Sequence, residues 1–249
     1  MIDLMHEVVV TPRYAFPRVP EVRVIERPGW LQIVTPSIKT GRLNEVIYSA
    51  LADEDIDRII DETIAGYRDQ GLRFRWNGTP GSAPAGLGAH LVRRGFDESW
   101  GRGMALVQPL VGETAPAACE IEVVTAATLA EFTHVMATGW NIDPVSLAAL
   151  HRQAFGEPHH HHFVAYCAGV PAAAASYIAF DASAFLMGAV VLPAFRGRGI
   201  YRALVAARLA HARSFGIELA TTHAREVSSA PILEKLGFAT VCRFAMYYG

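Results

Sequence analysis

Between Val190 and Arg202 the chain reads VVLPAFRGRGIYR, and here residue type and spacing suit anion chemistry. An apolar run ends in a proline. An Arg-Gly-Arg-Gly loop follows, and then a stretch with helical spacing begins. The first turn of a helix has N–H groups without intrahelical acceptors and carries about half a positive charge. Glycines let that backbone approach an anion closely, and Arg196 and Arg198 add full charges. From Ala182 to Ile217 there are five arginines and no acidic residue, in a chain of net charge −2. Such an excess suits a polyphosphate better than a single carboxylate. A solvated basic turn is the competing reading of the same residues. A Gly-x-Gly-x-x-Gly dinucleotide turn fits badly, because Arg202 stands where its third glycine belongs.

The loop needs a strand to deliver it and a helix to receive it. AFLMGAVVLP is wholly apolar and reads as a central strand. From Tyr201 the spacing of Leu204, Val205, Arg208 and Leu209 predicts a packed helix stopped by Gly216. Upstream, HFVAYCAGVPAAAASYIAF reads as two strands around Gly169-Val170-Pro171. Two helices precede them, one capped by Thr125 and one by Asp143 with Pro144 in its first turn. This alternation predicts an α/β (α+β) fold on a mixed, mainly antiparallel sheet flanked by helices.

Pro109, Gly112 and Pro116 mark a boundary that divides the chain into domains 1–115 and 116–249. The two halves end alike: SAPAGLGAHLVRRGF precedes GMALV, and SAPILEKLGF precedes RFAMYY. In each, Ser82 or Ser229 reads as a cap, Pro84 or Pro231 as a first-turn proline, and Gly95 or Gly237 as a helix stop. The pattern predicts a diverged duplication, with convergence on a common strand–helix–strand unit as the alternative.

Composition excludes several function classes. Of the 249 residues, 51% are hydrophobic and 18% are charged, which is globular rather than disordered. The slightly acidic balance argues against nucleic acid as a partner. No apolar run is long enough for a membrane span, and MIDLMHEVVVTPRYAF lacks the pattern of an export signal, so a cytoplasmic protein is expected. Cys119, Cys167 and Cys242 are far apart and read as reduced, buried thiols.

VVLPAFRGRGIY, GIELATTH and SAPILEKLGF together resemble the acyl-CoA-binding region of the GNAT superfamily of acyltransferases, from Glu120 onward. That family's loop runs Q/R-x-x-G-x-G/A, and Arg196 and Gly199 fill its first and fourth positions. The resemblance implies that Val190, Val191 and Leu192 align the pantetheine arm. It implies that Arg196, Gly197, Arg198, Gly199, Ile200, Tyr201 and Arg202 hold the pyrophosphate. An N–H near Val191 would receive the oxyanion. The first half resembles a degenerate copy. At its equivalent junction, EVIYSALADEDIDRIIDETI, glycines are missing and Asp53, Glu54 and Asp55 crowd the helix start, so no CoA is expected to bind there.

Three departures from the family pattern bear on catalysis. Tyr201 replaces glycine or alanine at the sixth loop position, where it either packs or reaches the ligand. Leu233 stands where many members carry the tyrosine that protonates the leaving thiolate, which leaves Tyr247, Tyr248 or water for that role. The central strand has no carboxylate base, so His223 and Glu226, on the next strand and its loop, are the candidates to deprotonate the amine. In His159–His162, neighbouring side chains of a strand alternate, so the four cannot face one metal, and no metal is expected.

The resulting expectation is an N-acetyltransferase. It would move an acetyl group from acetyl-CoA to a primary amine of a small molecule or peptide, as a monomer or homodimer. A longer acyl-CoA donor, or a CoA-binding scaffold without turnover, are the alternatives.

Overall fold

A computed structural model of the chain describes residues 2–108 and 119–249. The expected boundary at Pro109, Gly112 and Pro116 lies outside the described residues. The chain forms two compact units. The smaller comprises Phe16–Arg102 and Cys242–Gly249, and the larger comprises Met1–Ala15 and Gly103–Val241.

In the smaller unit, β1 (Arg23–Arg27), β2 (Trp30–Val34) and β3 (Glu45–Ser49) run antiparallel in sequence. Helix α1 (Ile56–Arg68) crosses to β4 (Arg75–Gly78), which pairs parallel with β3. Helix α2 (Leu87–Arg93) and β5 (Asp97–Leu106) follow, and β5 passes into the larger unit after Arg102. The buried core is aromatic. Trp30 meets Trp76 edge-on at 5.5 Å, and Tyr67 stacks on Phe74 at 4.2 Å.

The larger unit repeats that order. Strand β6 (Cys119–Val123) is followed by α3 (Leu129–Trp140) and α4 (Pro144–Ala154). Next come β7 (His160–Cys167), β8 (Val170–Ala179) and β9 (Ser183–Val191), and β6 to β9 pair antiparallel in turn. Helix α5 (Ile200–Ser214) crosses to β10 (Leu219–Arg225), parallel to β9. Helix α6 (Ala230–Glu234) and β11 (Ala239–Tyr248) close the chain. The C-terminal part of β11 belongs to the smaller unit, where it pairs antiparallel with β4. Each unit thus has antiparallel strands, a helical crossover, a parallel strand, a short helix and a last strand. The two Gly-Phe endings fall at the same place in that shared order.

The Gly-Phe endings stop their helices in the same way. The N–H of Phe96 bonds the carbonyl of Leu91 at 3.2 Å, and the N–H of Phe238 bonds that of Leu233 at 3.1 Å. Such bonds satisfy carbonyls that a helix end leaves open.

Three local expectations are corrected. Ser82-Ala83-Pro84 does not open α2, whose first residue is Leu87. Ala83 instead bridges to Ala50, its N–H bonding Ser49 and its carbonyl accepting from Leu51, so backbone pairing holds the segment out of the helix. Helix α3 starts after Thr128, whose hydroxyl accepts the N–H of Thr125, so Thr125 opens the turn before the helix rather than capping it. Cys119 and Cys167 are not free thiols. They are register partners on adjacent antiparallel strands and form a disulfide. Their 48-residue separation concealed a cross-strand contact, where facing Cβ atoms come within bonding reach.

Candidate active site

Strand β9 and the end of β10 frame the candidate site in the larger unit. The parallel ladder between them ends at the pair Leu186–Thr222, where the Thr222 hydroxyl also donates to the Leu186 carbonyl at 2.8 Å. Beyond that pair, β9 from Met187 to Val191 has an open edge on the β10 side. On its other edge, the register with β8 passes from Ser176–Met187 to Ala174–Val190. Strand β9 therefore carries one residue more than β8 across this step, a β-bulge at Gly188-Ala189 that leaves a residue out of the ladder. Gly188 sits at φ +63°, and a Cβ there would lie 3.2 Å from Met136 and 3.3 Å from Trp140 on α3. A close approach by α3 and a left-handed backbone both call for glycine.

After β9, Pro193–Phe195 make one 3-10 turn and the chain enters the loop. Gly197 and Gly199 both have φ +77°, a conformation that costs other residues roughly 1–2 kcal/mol. That requirement explains the alternation of glycine with arginine. Helix α5 starts at Ile200, and its first backbone bond runs from the Ala203 N–H to the Gly199 carbonyl at 3.1 Å. The N–H groups of Ile200, Tyr201 and Arg202 precede any intrahelical acceptor and crown a 15-residue helix. Arg196, Arg198 and Arg202 are exposed around them. Arg196 Nε donates to the Val191 carbonyl at 3.1 Å, which ties the loop back to β9. The Arg198 guanidinium lies over the Phe195 ring at 5.5 Å. Val190 is buried, while Val191 and Leu192 are half-buried. The ten residues expected at a CoA site therefore lie along the strand end, the loop and the first helical turn, with the Pro193–Phe195 turn between the two groups.

Tyr201 has a structural position of its own. Its ring packs against the core beneath α5, and burial raises its phenol pKa while the nearby Arg208 cation opposes that shift. Arg208 lies two turns further along the same helix face.

Of the acid–base candidates, His223 stands one residue past the last β9–β10 pair. Its Nε2 lies 2.8 Å from the carbonyl oxygen of Val8, in a short helical segment His6–Val10 whose Val8 and Val9 are buried. Phe185 meets its ring edge-on at 5.1 Å. Glu226 follows β10 and is half-buried. Tyr247 and Tyr248 belong to the smaller unit. There the Tyr247 hydroxyl donates to Glu98 at 3.0 Å, and burial pushes its pKa up to about 12. The Tyr248 hydroxyl contacts Met246 Sδ at 3.7 Å. Leu233 is buried in the core of the larger unit.

Residues 126–238 match the model of the acetyltransferase (GNAT) family. The GNAT match spans α3 through α6 and includes the loop described above. Solved structures extend the likeness in fold to the whole chain. A GCN5-related N-acetyltransferase from Kribbella flavida superposes with a TM-score of 0.68 at 17% identity, covering 98% of this chain and 93% of its own. A functionally unknown conserved protein from Staphylococcus epidermidis gives 0.68 at 12% identity, covering 97% and 98%. A tandem GNAT protein from the clavulanic acid biosynthesis pathway gives 0.59 at 15%, covering 97% and 87%. The fold is a tandem GNAT fold, and the family match supports acyl transfer as its chemistry. No curated protein matches the sequence.

The corresponding junction in the smaller unit is built differently. At the junction after β3, Asp53–Asp55 form a 3-10 turn and lead directly into α1. The acids are matched by the protein's own bases: Arg58 meets Asp55 at 2.6 Å, and His90 and Arg94 meet Asp57 at 2.7 and 2.8 Å. Carboxylates occupy the helix start that a phosphate would need.

The histidine run and other polar groups of the larger unit form pairs that the sequence did not predict. Strand alternation sends His160 and His162 to the face covered by α3 and α4, and His161 to the face covered by α5. His162 Nδ1 lies 2.8 Å from Ser176 Oγ, and His151 Nδ1 lies 2.8 Å from Thr133 Oγ1, with Phe132 between the two rings. Burial lowers the pKa of His151 to about 4 and that of His162 to about 3. On the other face, the Tyr177 hydroxyl and His211 Nδ1 are 2.7 Å apart. The Val8 carbonyl and the pairing of Ser176 with His162 depend on long-range contacts. Among the described residues no group of three or more His, Cys, Asp or Glu is arranged to hold a metal ion.

Proposed function

We propose that the protein is an N-acetyltransferase that moves an acetyl group from acetyl-CoA to a primary amine of a small molecule or peptide. The observation carrying this reading is the junction of three features at one strand end. The β9 edge opens after Leu186, a bulge follows at Gly188, and a two-glycine loop then opens a long helix among arginines. The loop amides with Arg196, Arg198 and Arg202 hold the pyrophosphate, and Val190–Leu192 align the pantetheine along the open edge. The amine nitrogen attacks the thioester carbonyl carbon, forming the C–N bond and an oxyanion that receives hydrogen bonds from β9 amides. The C–S bond then breaks, and the CoA thiolate takes up a proton equivalent to the one lost from nitrogen. His223, or Glu226 through water, accepts the amine proton. A thiol has an ordinary pKa of about 8.5, so the thiolate leaves without a strong acid, consistent with Leu233 in place of a tyrosine. Domain 116–249 carries the site, and domain 1–115 binds no CoA.

The test is release of free thiol from acetyl-CoA across a panel of amines, run beside a longer acyl-CoA. Amine-dependent release fastest with acetyl-CoA supports the reading. Faster release from the longer donor replaces the donor, and tight CoA binding without release from either replaces catalysis with binding.

A further inference from the structure

Arg208 is fully buried, yet among the described residues no carboxylate pairs with it. Its Nε donates to the Leu204 carbonyl one turn back at 3.0 Å. Its Nη1 donates to the carbonyls of Ser176 at 3.0 Å and Met187 at 3.4 Å. Those two residues are register partners on β8 and β9, and they are the last pair before the bulge at Gly188-Ala189. A regular ladder satisfies its carbonyls from the facing strand, and a bulge disrupts that supply. The guanidinium meets the need at the place where the ladder changes register.

Charge is the puzzling part of this arrangement. Burying a cation without an anion is costly, and an apolar side chain of similar volume would often serve stability as well or better. Burial lowers the Arg208 pKa to about 10, so it remains protonated at neutral pH. A fixed cation behind a bulge has an evident use if negative charge develops in front of it.

We propose that Arg208 is a positioning residue for acyl transfer: by holding the Ser176 and Met187 carbonyls it fixes the Gly188-Ala189 bulge, whose backbone amides receive the thioester oxygen. This proposal rests on the acyltransferase reading above. In the step concerned, the amine adds to the carbonyl carbon, the C=O electrons move onto oxygen, and they return as the C–S bond breaks. Arg208 touches neither substrate nor thioester. It sets the backbone that does, and its charge polarises the amides toward the oxyanion. Tyr201 stands on the same helix face as Arg208, two turns back, and packs against the core there.

The experiment compares Arg208→Met and Arg208→Lys with the wild type by three measurements. Steady-state kinetics with acetyl-CoA should show kcat lowered on the order of 10²-fold in Arg208→Met, as for the loss of one oxyanion donor, with KM within about threefold. CoA affinity by calorimetry should stay within about threefold, because residues 196–202 are untouched. Infrared difference spectra with carbonyl-labelled acetyl-CoA should show a thioester stretch lowered on binding to the wild type and restored toward the free value in Arg208→Met. Arg208→Lys keeps the charge but loses the rigid fork whose Nε is tied to Leu204, and it should recover roughly tenfold of the lost kcat. If Arg208→Met does not fold, Arg208→Lys must by itself show the kcat loss at unchanged CoA affinity. A folded Arg208→Met with wild-type kcat, or an unshifted stretch in the wild type, overturns the proposal. So does a parallel loss of kcat and CoA affinity, which would make Arg208 a general structural support. A wild type that binds acetyl-CoA and acylates no amine defeats the acyltransferase reading, while the infrared shift still tests Arg208.

Discussion

The carbonyl of Val8 and Nε2 of His223 meet at 2.8 Å, although 215 residues separate them in sequence. A carbonyl can only accept, so Nε2 carries the proton and Nδ1 is the basic nitrogen of the neutral ring. The buried N-terminal segment therefore selects the tautomer of the histidine at the splayed end of β10. His223→Gln keeps an N–H donor for Val8 and removes the basic nitrogen. The expected outcome is a fall of about 10²–10⁴ in kcat with an unchanged melting temperature. An unchanged kcat would instead assign the base to Glu226.

Gly139 places α3 against β9. A Cβ at this position would lie 2.1 Å from Val190 Cγ1 and 3.1 Å from Val190 Cβ, contacts that a stiff β-branched side chain cannot relieve by rotation alone. Gly139→Ala should push α3 away from the strand that leads to the loop. Its helix propensity would improve, yet stability should fall by roughly 1–3 kcal/mol, as overpacked cores do. Chemical denaturation measures the first effect. A weaker CoA affinity in the folded variant measures the displacement of Val190.

Acid should destabilise the larger unit through its buried histidines. Burial lowers the pKa of His151 to about 4 and that of His162 to about 3, against an ordinary value of about 6.5. Between these values the unfolded chain binds more protons than the folded one, so stability is fully present above pH ~6.5 and is lost as pH falls toward 4. Each unit of depression is worth about 1.4 kcal/mol. His162→Gln keeps an amide for Ser176 and should flatten the decline in melting temperature over that range.

The disulfide between Cys119 and Cys167 joins β6 to β7 and closes a 48-residue span. Cys119→Ser with Cys167→Ser should lower stability by about 2–5 kcal/mol. A reductant titration of the wild type, followed by thermal melting, should reach the same lowered melting temperature.

Local signals made much of this site legible in the sequence. The apolar run before Pro193, the paired glycines and the arginine excess defined β9, the loop and α5 because each signal is contained within about 20 residues. The Gly-Phe stops of α2 and α6 were legible for the same reason. Features that depend on tertiary pairing were not. Ser82-Ala83-Pro84 has the composition of a helix start, but Ala83 pairs with Ala50. Cys119 and Cys167 became partners only through strand register. Arg208 looked like one more apolar-face position on α5, and its role depends on carbonyls from two other strands. The Val8 carbonyl carries no side-chain signal at all.

In the proposed function, residues 196–202 at the open end of β9 hold the CoA pyrophosphate. Calorimetric titration of CoA into the wild type and into Arg196→Glu with Gly199→Glu tests it most directly. Space is open around Gly199, so the double variant should fold, with at most a modest loss from its φ of +77°. The wild type should bind CoA, and the folded variant should not. Equal CoA affinity in the two proteins would contradict that assignment.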